Sequence, residues 1–219
     1  MNLKNLKYLF FLLMTVFVLS SCGETDDDAS QAEFANWQER NEKAFADTLA
    51  YAKKQIEAGS KEWKIFLNWS LNNQTGHKDQ NGNVINPSYN DDDYIVVHVL
   101  DEGTGTETPL YTDSIKMSYR GRLIPSASYK DGYVFDQTFE GNYSATTALP
   151  TSSTVNNGWI DGFTTALQQM HVGDHWQVFI PYNLGYGTTV NSSIPAYSLL
   201  RFEMALNGYK RGKGAWITK

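Results

Sequence analysis

The side chains of this chain that could do chemistry are aromatic rings, and no recognisable nucleophile or acid–base pair accompanies them. Aromatic residues make up 14% of the 219 residues, with six tryptophans and thirteen tyrosines. The sequence contains none of the Gly-x-Ser-x-Gly, His-Glu-x-x-His or Walker-type glycine patterns of hydrolases, zinc proteases and nucleotide-binding enzymes. Asp136 and Asp161 form no obvious acid–base pair. The histidines are scattered at His77, His98, His171 and His175. We therefore expect no metal or cofactor, and a core or pocket with aromatic walls.

Short strands separated by turns must position these aromatics from residue 94 onward. Runs of β-branched and aromatic residues predict strands at 94–100, 114–123, 133–135, 176–180 and 199–206. The spacing of Trp159, Phe163, Leu167 and Met170 predicts one helix over 159–170, ended at Gly173. Several antiparallel strands and a single helix indicate an α+β fold, in which a curved sheet carries one helix across its concave face.

A longer helix is predicted before this domain, over residues 30–58. Ser30 and Glu33 make a capping-box pattern, and Gly59 is a natural stop. The apolar residues that recur at helical spacing are Phe34, Trp37, Phe45, Leu49, Ala52 and Ile56. This stripe must pack against another surface, either the following domain, which we favour, or a second copy of the chain.

The segment between this helix and the first strand is less regular. Residues 63–71 fit either a strand or a helix, because their periodicity does not separate the two. Residues 76–89 are rich in Asn, Gly and Pro, and Asn81-Gly82 predicts a tight hairpin turn. Three aspartates at 91–93 mark a boundary.

The N-terminus predicts export from the cytoplasm. Lys4 and Lys7 precede an apolar run at 8–19, which is shorter than the ~20 residues that span a bilayer as a helix. The order Leu-Ser-Ser-Cys at 19–22 resembles the lipobox of bacterial lipoproteins, and this resemblance implies lipid on Cys22. Two or three acyl chains would anchor the protein effectively permanently to a membrane. The alternative is an ordinary signal peptide with an incidental cysteine.

The net charge of the chain indicates which partners it can bind, and the residues after Cys22 indicate where in the cell it is held. A net charge of −6 argues against nucleic acid, which requires a basic face. Residues 22–30 form an acidic tether, and its aspartates at 26–28 resemble a surface-export signal, with a plain spacer as the alternative. Gly23, in place of the aspartate that retains lipoproteins on the inner membrane, predicts the outer membrane, facing the periplasm or the cell surface.

The stretch from about Tyr94 to Asn207 carries an ordered series of short motifs. They are Asp-Glu-Gly-Thr-Gly at 101–105, Met-Ser-Tyr-Arg-Gly at 117–121, Val-Phe-Asp at 134–136, Val-Asn-Asn-Gly-Trp at 155–159, Gln-Met-His-Val-Gly-Asp at 169–174, Ile-Pro-Tyr-Asn-Leu-Gly-Tyr-Gly at 180–187, Ile-Pro at 194–195 and Leu-Arg-Phe-Glu at 200–203. In order and spacing the series resembles the FKBP-type peptidyl-prolyl isomerases, and it covers just over half of the chain.

The resemblance implies a pocket that surrounds the proline ring of a polypeptide substrate, and possible binding of macrolide inhibitors. Its catalytic residues would be Tyr119, Phe135, Asp136, Trp159, Tyr186 and Phe202. Val155, Asn156 and Ile194 would add substrate contacts, with the main-chain amide of Asn156 binding the peptide. A packed core is the alternative interpretation of the aromatics, although it does not account for Asp136 and Tyr186 at matching positions.

The sequence departs from the family pattern in three places. Asn156 replaces a residue that is usually isoleucine, and the small polar stretch at 144–153 lacks the family's aromatics. The loop between Arg122 and Phe135 is longer and carries Tyr129 and Tyr133. The first two departures predict weaker peptide binding, whereas the third could rebuild a wall.

These patterns divide the chain into five parts. A lipoprotein signal peptide at 1–21 and an acidic tether at 22–30 precede an N-terminal helical and aromatic segment at 31–91. An isomerase domain follows at 92–210, with a tail at 211–219. The predicted function is a prolyl isomerase of the cell envelope that assists folding of exported proteins. The alternative is a non-catalytic lipoprotein that binds peptides or proteins in the same pocket.

Overall fold

An antiparallel sheet is the frame of the chain in a computed structural model, which describes residues 33–72, 74, 78–84 and 87–218. The strands of the described residues are β1 Trp63–Leu67, β2 Tyr94–Asp101, β3 Ser114–Arg122, β4 Val134–Gln137, β5 Thr151–Thr154, β6 His175–Ile180, β7 Leu200–Lys210 and β8 Ile217–Thr218. Six strands are hydrogen-bonded in the order β1-β2-β6-β7-β3-β4, while β5 pairs with β3 and β8 pairs with β7. Every pairing is antiparallel.

A short helix, α2 (Asp161–Leu167), fills one face of this sheet. Its residues from Gly162 to Leu167 are all buried, and the helix packs against β1, β2 and β6. A side chain at Gly162 would overlap Ile180 on β6, so glycine is what lets helix and strand approach so closely. The predicted α+β class, a curved antiparallel sheet around one short helix, is confirmed.

A long helix, α1 (Trp37–Glu57), packs against β1 and β2. Its buried side chains are Trp37, Asn41, Phe45, Leu49 and Ala52. Two side chains also hydrogen-bond to the segment before β7, because the Trp37 Nε1–H donates to Ser198 Oγ at 2.9 Å and Asn41 Oδ1 accepts the Leu199 N–H at 2.8 Å. The apolar stripe therefore packs on the following sheet, as favoured from its sequence.

Both helices differ in extent from the prediction. The helix expected at 30–58 begins at Trp37, because Asn36 adopts a left-handed φ of 52° that breaks the helical path. Ile56, expected in the stripe, is 39% exposed. The helix expected at 159–170 is shorter, since Ile160 is extended (ψ 150°) and the helix ends at Leu167.

The strands differ from the predicted ones mainly at the edges of the sheet. The ambiguous segment 63–71 divides into β1 and a single 3-10 turn, Trp69–Leu71. β5 was not predicted, because Thr-Ser-Ser-Thr has no apolar alternation and is held by its pairing with β3. β7 runs to Lys210, and β8 pairs with it from within residues 211–219. The sheet therefore draws strands from both sides of the 92–210 segment.

Several predictions lie outside the described residues. These are the signal peptide, Cys22, the acidic tether and the start of the predicted capping box at residue 30. The hairpin turn at Asn81-Gly82 is described: Gly82 has a φ of 83° and its N–H donates to the Asp79 carbonyl at 3.0 Å. Within the described ranges, none of the helices has the length and apolar character needed to cross a bilayer.

Candidate functional site

Five aromatic rings meet between α2 and the strands beside it. The Phe163 ring on α2 is 5.5 Å from Tyr119 on β3, 5.0 Å from Phe202 on β7 and 5.1 Å from Trp159, measured between ring centroids. Phe135 on β4 contacts Phe202 edge-on at 5.4 Å. Trp159 and Tyr119 also meet edge-on, at 6.1 Å. Four of the predicted site aromatics, Tyr119, Phe135, Trp159 and Phe202, therefore form one connected cluster with Phe163, in geometries that each favour association by ~0.5–1.5 kcal/mol beyond burial.

Gly121 makes this arrangement of rings possible. It lies opposite Phe202 in the β3–β7 pair and opposite Asp136 in the β3–β4 pair. A Cβ atom at this position would lie 2.5 Å from the Phe135 ring and 2.8 Å from the Phe202 ring. The glycine that ends the Met-Ser-Tyr-Arg-Gly motif therefore provides the space into which both rings close.

Trp159 is held by its position just before α2. Its indole N–H donates to the Thr154 carbonyl at the end of β5, at 3.0 Å. The side chain is half-buried, with its ring packed on Phe163 at an interplanar angle of 31°. One polar atom is thus satisfied by the protein, which leaves the flat indole as an apolar surface of fixed orientation.

The polar groups of the site surround Asp136. The buried Tyr119 donates its hydroxyl hydrogen to Asp136 Oδ2 at 2.8 Å, and the carboxylate itself is exposed. Burial, followed by the hydrogen bond and negative charge of Asp136, raises the pKa of Tyr119 well above its ordinary value. Burial, followed by the charge of Asp136, also raises the pKa of Tyr186. Both phenols are therefore neutral hydrogen-bond donors throughout the physiological pH range.

Two donors at the site have no partner among the residues that the structure describes. The Tyr186 hydroxyl makes no hydrogen bond there, although the electrostatic influence of Asp136 shows that the two residues are near each other. The Asn156 N–H also makes none, whereas its neighbours Val155 and Asn157 donate to Asp113 and Thr154. A bound peptide can accept hydrogen bonds from both groups without breaking any in the protein.

The remaining predicted contact residues differ in accessibility. Val155 is fully buried and Ile194 is 5% exposed, while Asn156 is exposed. Ile194 closes a tight bridge with Asn191. No hydrogen bond or ring contact connects these three to the aromatic cluster within the described part of the chain, so their roles stay predictions.

The departures from the family pattern are visible in the same region. Leu149, the large apolar residue of the 144–153 stretch, is 85% exposed. In the longer loop, Tyr129 and Tyr133 contact each other edge-on at 5.0 Å. Among the described residues, these two rings contact each other and not the aromatic cluster around Phe202.

Sequence reasoning assigned Phe163 to the helix but not to the site. The structure places its ring at the centre of the cluster, 1% exposed and in contact with Tyr119, Trp159 and Phe202. The spacing contained part of this signal, because the predicted helix over 159–170 put Phe163 one turn after Trp159. In the structure the helix begins only at Asp161, and the two rings meet because Trp159 packs onto Phe163 from the segment before it.

Two of the histidines, His175 and His98, take structural positions. His175 Nδ1 is 3.0 Å from Asp101 Oδ2 and His175 Nε2 is 3.0 Å from Glu203 Oε1, while Glu203 Oε2 accepts from Arg120 at 2.7 Å. His98 stacks on Trp63 at 4.5 Å, and His77 lies outside the described residues. In the portion of the chain that is described, no cluster of three or more His, Cys, Asp or Glu side chains could hold a metal ion.

Comparisons with known proteins match this region. A family model described as FKBP-type peptidyl-prolyl cis-trans isomerase matches residues 105–207. The chain is 39% identical to the macrophage infectivity potentiator of Trypanosoma cruzi over 119 residues, which are 54% of either chain. It is 38% identical to the FKBP-type 22 kDa peptidyl-prolyl cis-trans isomerase of Escherichia coli, over 49% of this chain and 46% of that one.

A third relative matches more of the chain. The outer membrane protein MIP of Legionella longbeachae is 33% identical over 168 residues, which are 76% of this chain and 61% of that protein. The chain thus spans about half to three fifths of the length of these relatives.

Proposed function

The chain belongs to the FKBP-type peptidyl-prolyl cis-trans isomerase family through residues 105–207, and on that premise we propose that it catalyses rotation about X–Pro peptide bonds. The observation that carries this proposal is the pairing of an apolar ring cluster with two unused donors. The half-buried Trp159 presents an apolar ring surface. The neutral Tyr186 hydroxyl and the Asn156 N–H make no hydrogen bond with any described residue.

The reaction requires no nucleophile and no proton transfer. Rotation about the C–N bond faces a barrier of ~18–20 kcal/mol, because resonance gives this bond partial double-bond character. A polar solvent stabilises that resonance, so transfer to an apolar surface of aromatic rings weakens it. A site that binds the twisted amide better than either planar isomer lowers the barrier further. A decrease of ~8 kcal/mol would accelerate the reaction about a million-fold.

The site divides these tasks among its residues. The flat proline ring packs on the indole of Trp159, with Tyr119, Phe135 and Phe202 as walls. The Tyr186 hydroxyl and the Asn156 N–H hold carbonyl groups of the peptide. Asp136 fixes the orientation of Tyr119 through their 2.8 Å hydrogen bond and contributes a negative charge at the rim. Proline-containing polypeptides are therefore the proposed substrates.

We further propose that the protein acts at the outer membrane, held by lipid on Cys22, and assists folding of exported proteins. The N-terminal sequence supports this location, through its short apolar run and the Leu-Ser-Ser-Cys order at 19–22. The relative from Legionella longbeachae is named an outer membrane protein, and it covers the largest share of the chain among the relatives above.

Isomerisation of an X–Pro tetrapeptide, measured in a protease-coupled assay, tests the activity. We expect acceleration over buffer, inhibition by an FKBP-directed macrolide, and at least about a tenfold loss of kcat/KM in Trp159→Ala. Trp216→Ala is the matched control, since Trp216 contacts Lys116 and Lys210 and not the cluster. Peptide binding without acceleration would instead support the non-catalytic alternative.

Fractionation of cells that express the chain tests the location. The wild-type protein should sediment with outer membranes and incorporate labelled palmitate, whereas Cys22→Ser should do neither. A Cys22→Ser protein that still partitions with membranes would contradict lipid anchoring. Deletion of residues 26–28, followed by surface protease treatment of cells, distinguishes the two orientations: loss of surface access identifies the aspartates as an export signal.

A further inference from the structure

The face of the sheet that lies away from the aromatic cluster carries a recess of about 410 Å³ lined by charged side chains. Strand alternation produces it: Tyr119 and Gly121 face the cluster, so Arg120 and Arg122 on β3 face the other way. Arg201 and Glu203 alternate with Phe202 on β7 in the same manner. Pro125, Lys130 and Asp131 from the 122–135 loop and Gln177 from β6 complete the lining.

The recess holds excess positive charge in an acidic protein. Arg120 is neutralised by Glu203, because their side chains form an ion pair of 2.7 Å. Arg122, Lys130 and Arg201 remain, with Asp131 as the carboxylate that faces them. Three positive groups against one negative group leave two positive charges, although the whole chain carries −6.

Two of the cations lie directly opposite each other. Arg122 and Arg201 are partners in the β3–β7 register, where like charges are destabilising. Arg201 is half-buried and makes no hydrogen bond or ion pair within the described part of the chain, and Arg122 donates to the Gly132 carbonyl alone, at 3.2 Å. Burial and the charge of Arg122 lower the pKa of Arg201, partly offset by Asp131. An anion between the two guanidinium groups would remove this repulsion.

We propose that this recess is a binding site for an oxyanion of the phosphate-monoester class. Guanidinium groups bind such oxygens through paired, charge-assisted hydrogen bonds, and the Lys130 ammonium adds a third donor. A phosphate monoester carries between about 1.5 and 2 negative charges at neutral pH, which matches the excess in the recess, whereas a single carboxylate would leave one cation uncompensated. The site is separate from the proline site and does not depend on isomerase activity.

Calorimetric titration of the full mature chain with inorganic phosphate, at ionic strength fixed with chloride, tests the proposal. We expect saturable binding, and a midpoint of thermal unfolding that rises with phosphate concentration. Affinity should fall at least about tenfold in the double variant Arg122→Gln/Arg201→Gln. The double variant Lys54→Gln/Lys61→Gln removes the same charge from exposed positions elsewhere and should bind normally.

One more variant and two further ligands complete the test of this binding site. Lys130→Gln, at an exposed position, should also weaken binding, and it serves if the double arginine variant fails to fold. Glycerol 3-phosphate that binds as well as phosphate identifies a phosphorylated headgroup or sugar as the source, whereas binding of phosphate alone identifies the free ion. No binding of either, equal binding of acetate, or equal loss in the Lys54→Gln/Lys61→Gln control would overturn the proposal.

Discussion

Tyr119 on β3 and Asp136 on β4 are joined by a 2.8 Å hydrogen bond from the phenol to Asp136 Oδ2. Tyr119 is 8% exposed, whereas Asp136 lies at the surface. The bond therefore fixes a charge at the rim relative to a wall of the aromatic cluster. The two residues belong to separate sequence motifs, at 117–121 and 134–136, and β3–β4 pairing brings those motifs together.

Replacement of Asp136 tests the importance of that charge. Asp136→Leu should lower kcat/KM for an X–Pro peptide by about tenfold, since it removes both the rim charge and the acceptor that orients Tyr119. Asp136→Asn keeps an acceptor and should lose less. Because Asp136 is exposed, circular dichroism and thermal unfolding should show a folded protein in both cases. Wild-type kcat/KM in Asp136→Leu would refute the assignment.

Tyr186→Phe separates substrate binding from folding. The Tyr186 hydroxyl has no hydrogen-bond partner among the described residues, so its removal should leave the free energy of unfolding nearly unchanged. Loss of one donor to the peptide should still lower kcat/KM by roughly three- to tenfold. Urea unfolding and the isomerase assay on the same sample measure both quantities. A large loss of stability with normal kcat/KM would show that the hydroxyl serves the fold.

Gly121→Ala should disturb the ring cluster. The added methyl group would occupy space now filled by the Phe135 and Phe202 rings, so one ring must move. Overpacking of this kind typically costs about 1–3 kcal/mol of unfolding free energy. We expect that decrease in urea unfolding, together with a lower kcat/KM. Unchanged stability and activity would mean that the rings are not held where the structure places them.

The Arg120–Glu203–His175 network should make stability depend on pH. Burial alone would lower the pKa of His175, but hydrogen bonds to Glu203 and Asp101 outweigh it and raise that pKa above its ordinary 6.5. Burial alone would raise the pKa of Glu203, but hydrogen bonds from His175 and Arg120 lower it below its ordinary 4.5.

The directions of these two pKa shifts determine the pH range over which the network stabilises the fold. The contribution of His175 is complete below pH 6.5 and is lost as the pH rises through its raised pKa. The contribution of Glu203 is complete above pH 4.5 and is lost as the pH falls through its lowered pKa. The stability advantage of the wild type over His175→Gln should therefore be greatest between pH 4.5 and 6.5. Urea unfolding across pH 4–9 measures it, and an advantage independent of pH would contradict the network.

From the sequence, the aromatic residues that meet in the cluster could be predicted better than the boundaries of the elements, while their catalytic roles stay predictions. The motifs that carry Tyr119, Asp136 and Trp159 have a fixed order and spacing, and each residue type has a physical task in a proline pocket. Helical spacing indicated that Phe163 lies near Trp159, but not that its ring is at the centre of the cluster, because Trp159 lies outside the helix that forms. The charged recess could not, because the opposition of Arg122 and Arg201 depends on the register between strands far apart in sequence.

The predictions of helices and strands that were wrong have local or long-range causes, and the pattern of a single sequence does not contain these causes. Asn36 sets the start of α1 by adopting a left-handed conformation, which asparagine tolerates but does not require. β5 is polar and exists because β3 provides its hydrogen-bonding partners. Residues 63–67 could not be distinguished from a helix until their pairing with β2 was known.

The pairing of β1 with β2 limits where the chain can be truncated at its N-terminal side. A fragment that began at residue 92 would lack β1 and α1, and the buried Ile95, Val96 and Val97 would lie on a strand with open backbone N–H and C=O groups. Such an apolar, unpaired strand is a template for association with other chains. The N-terminal segment thus covers this edge of the sheet, and we expect a fragment that begins at or before Trp37 to aggregate less than one that begins at residue 92.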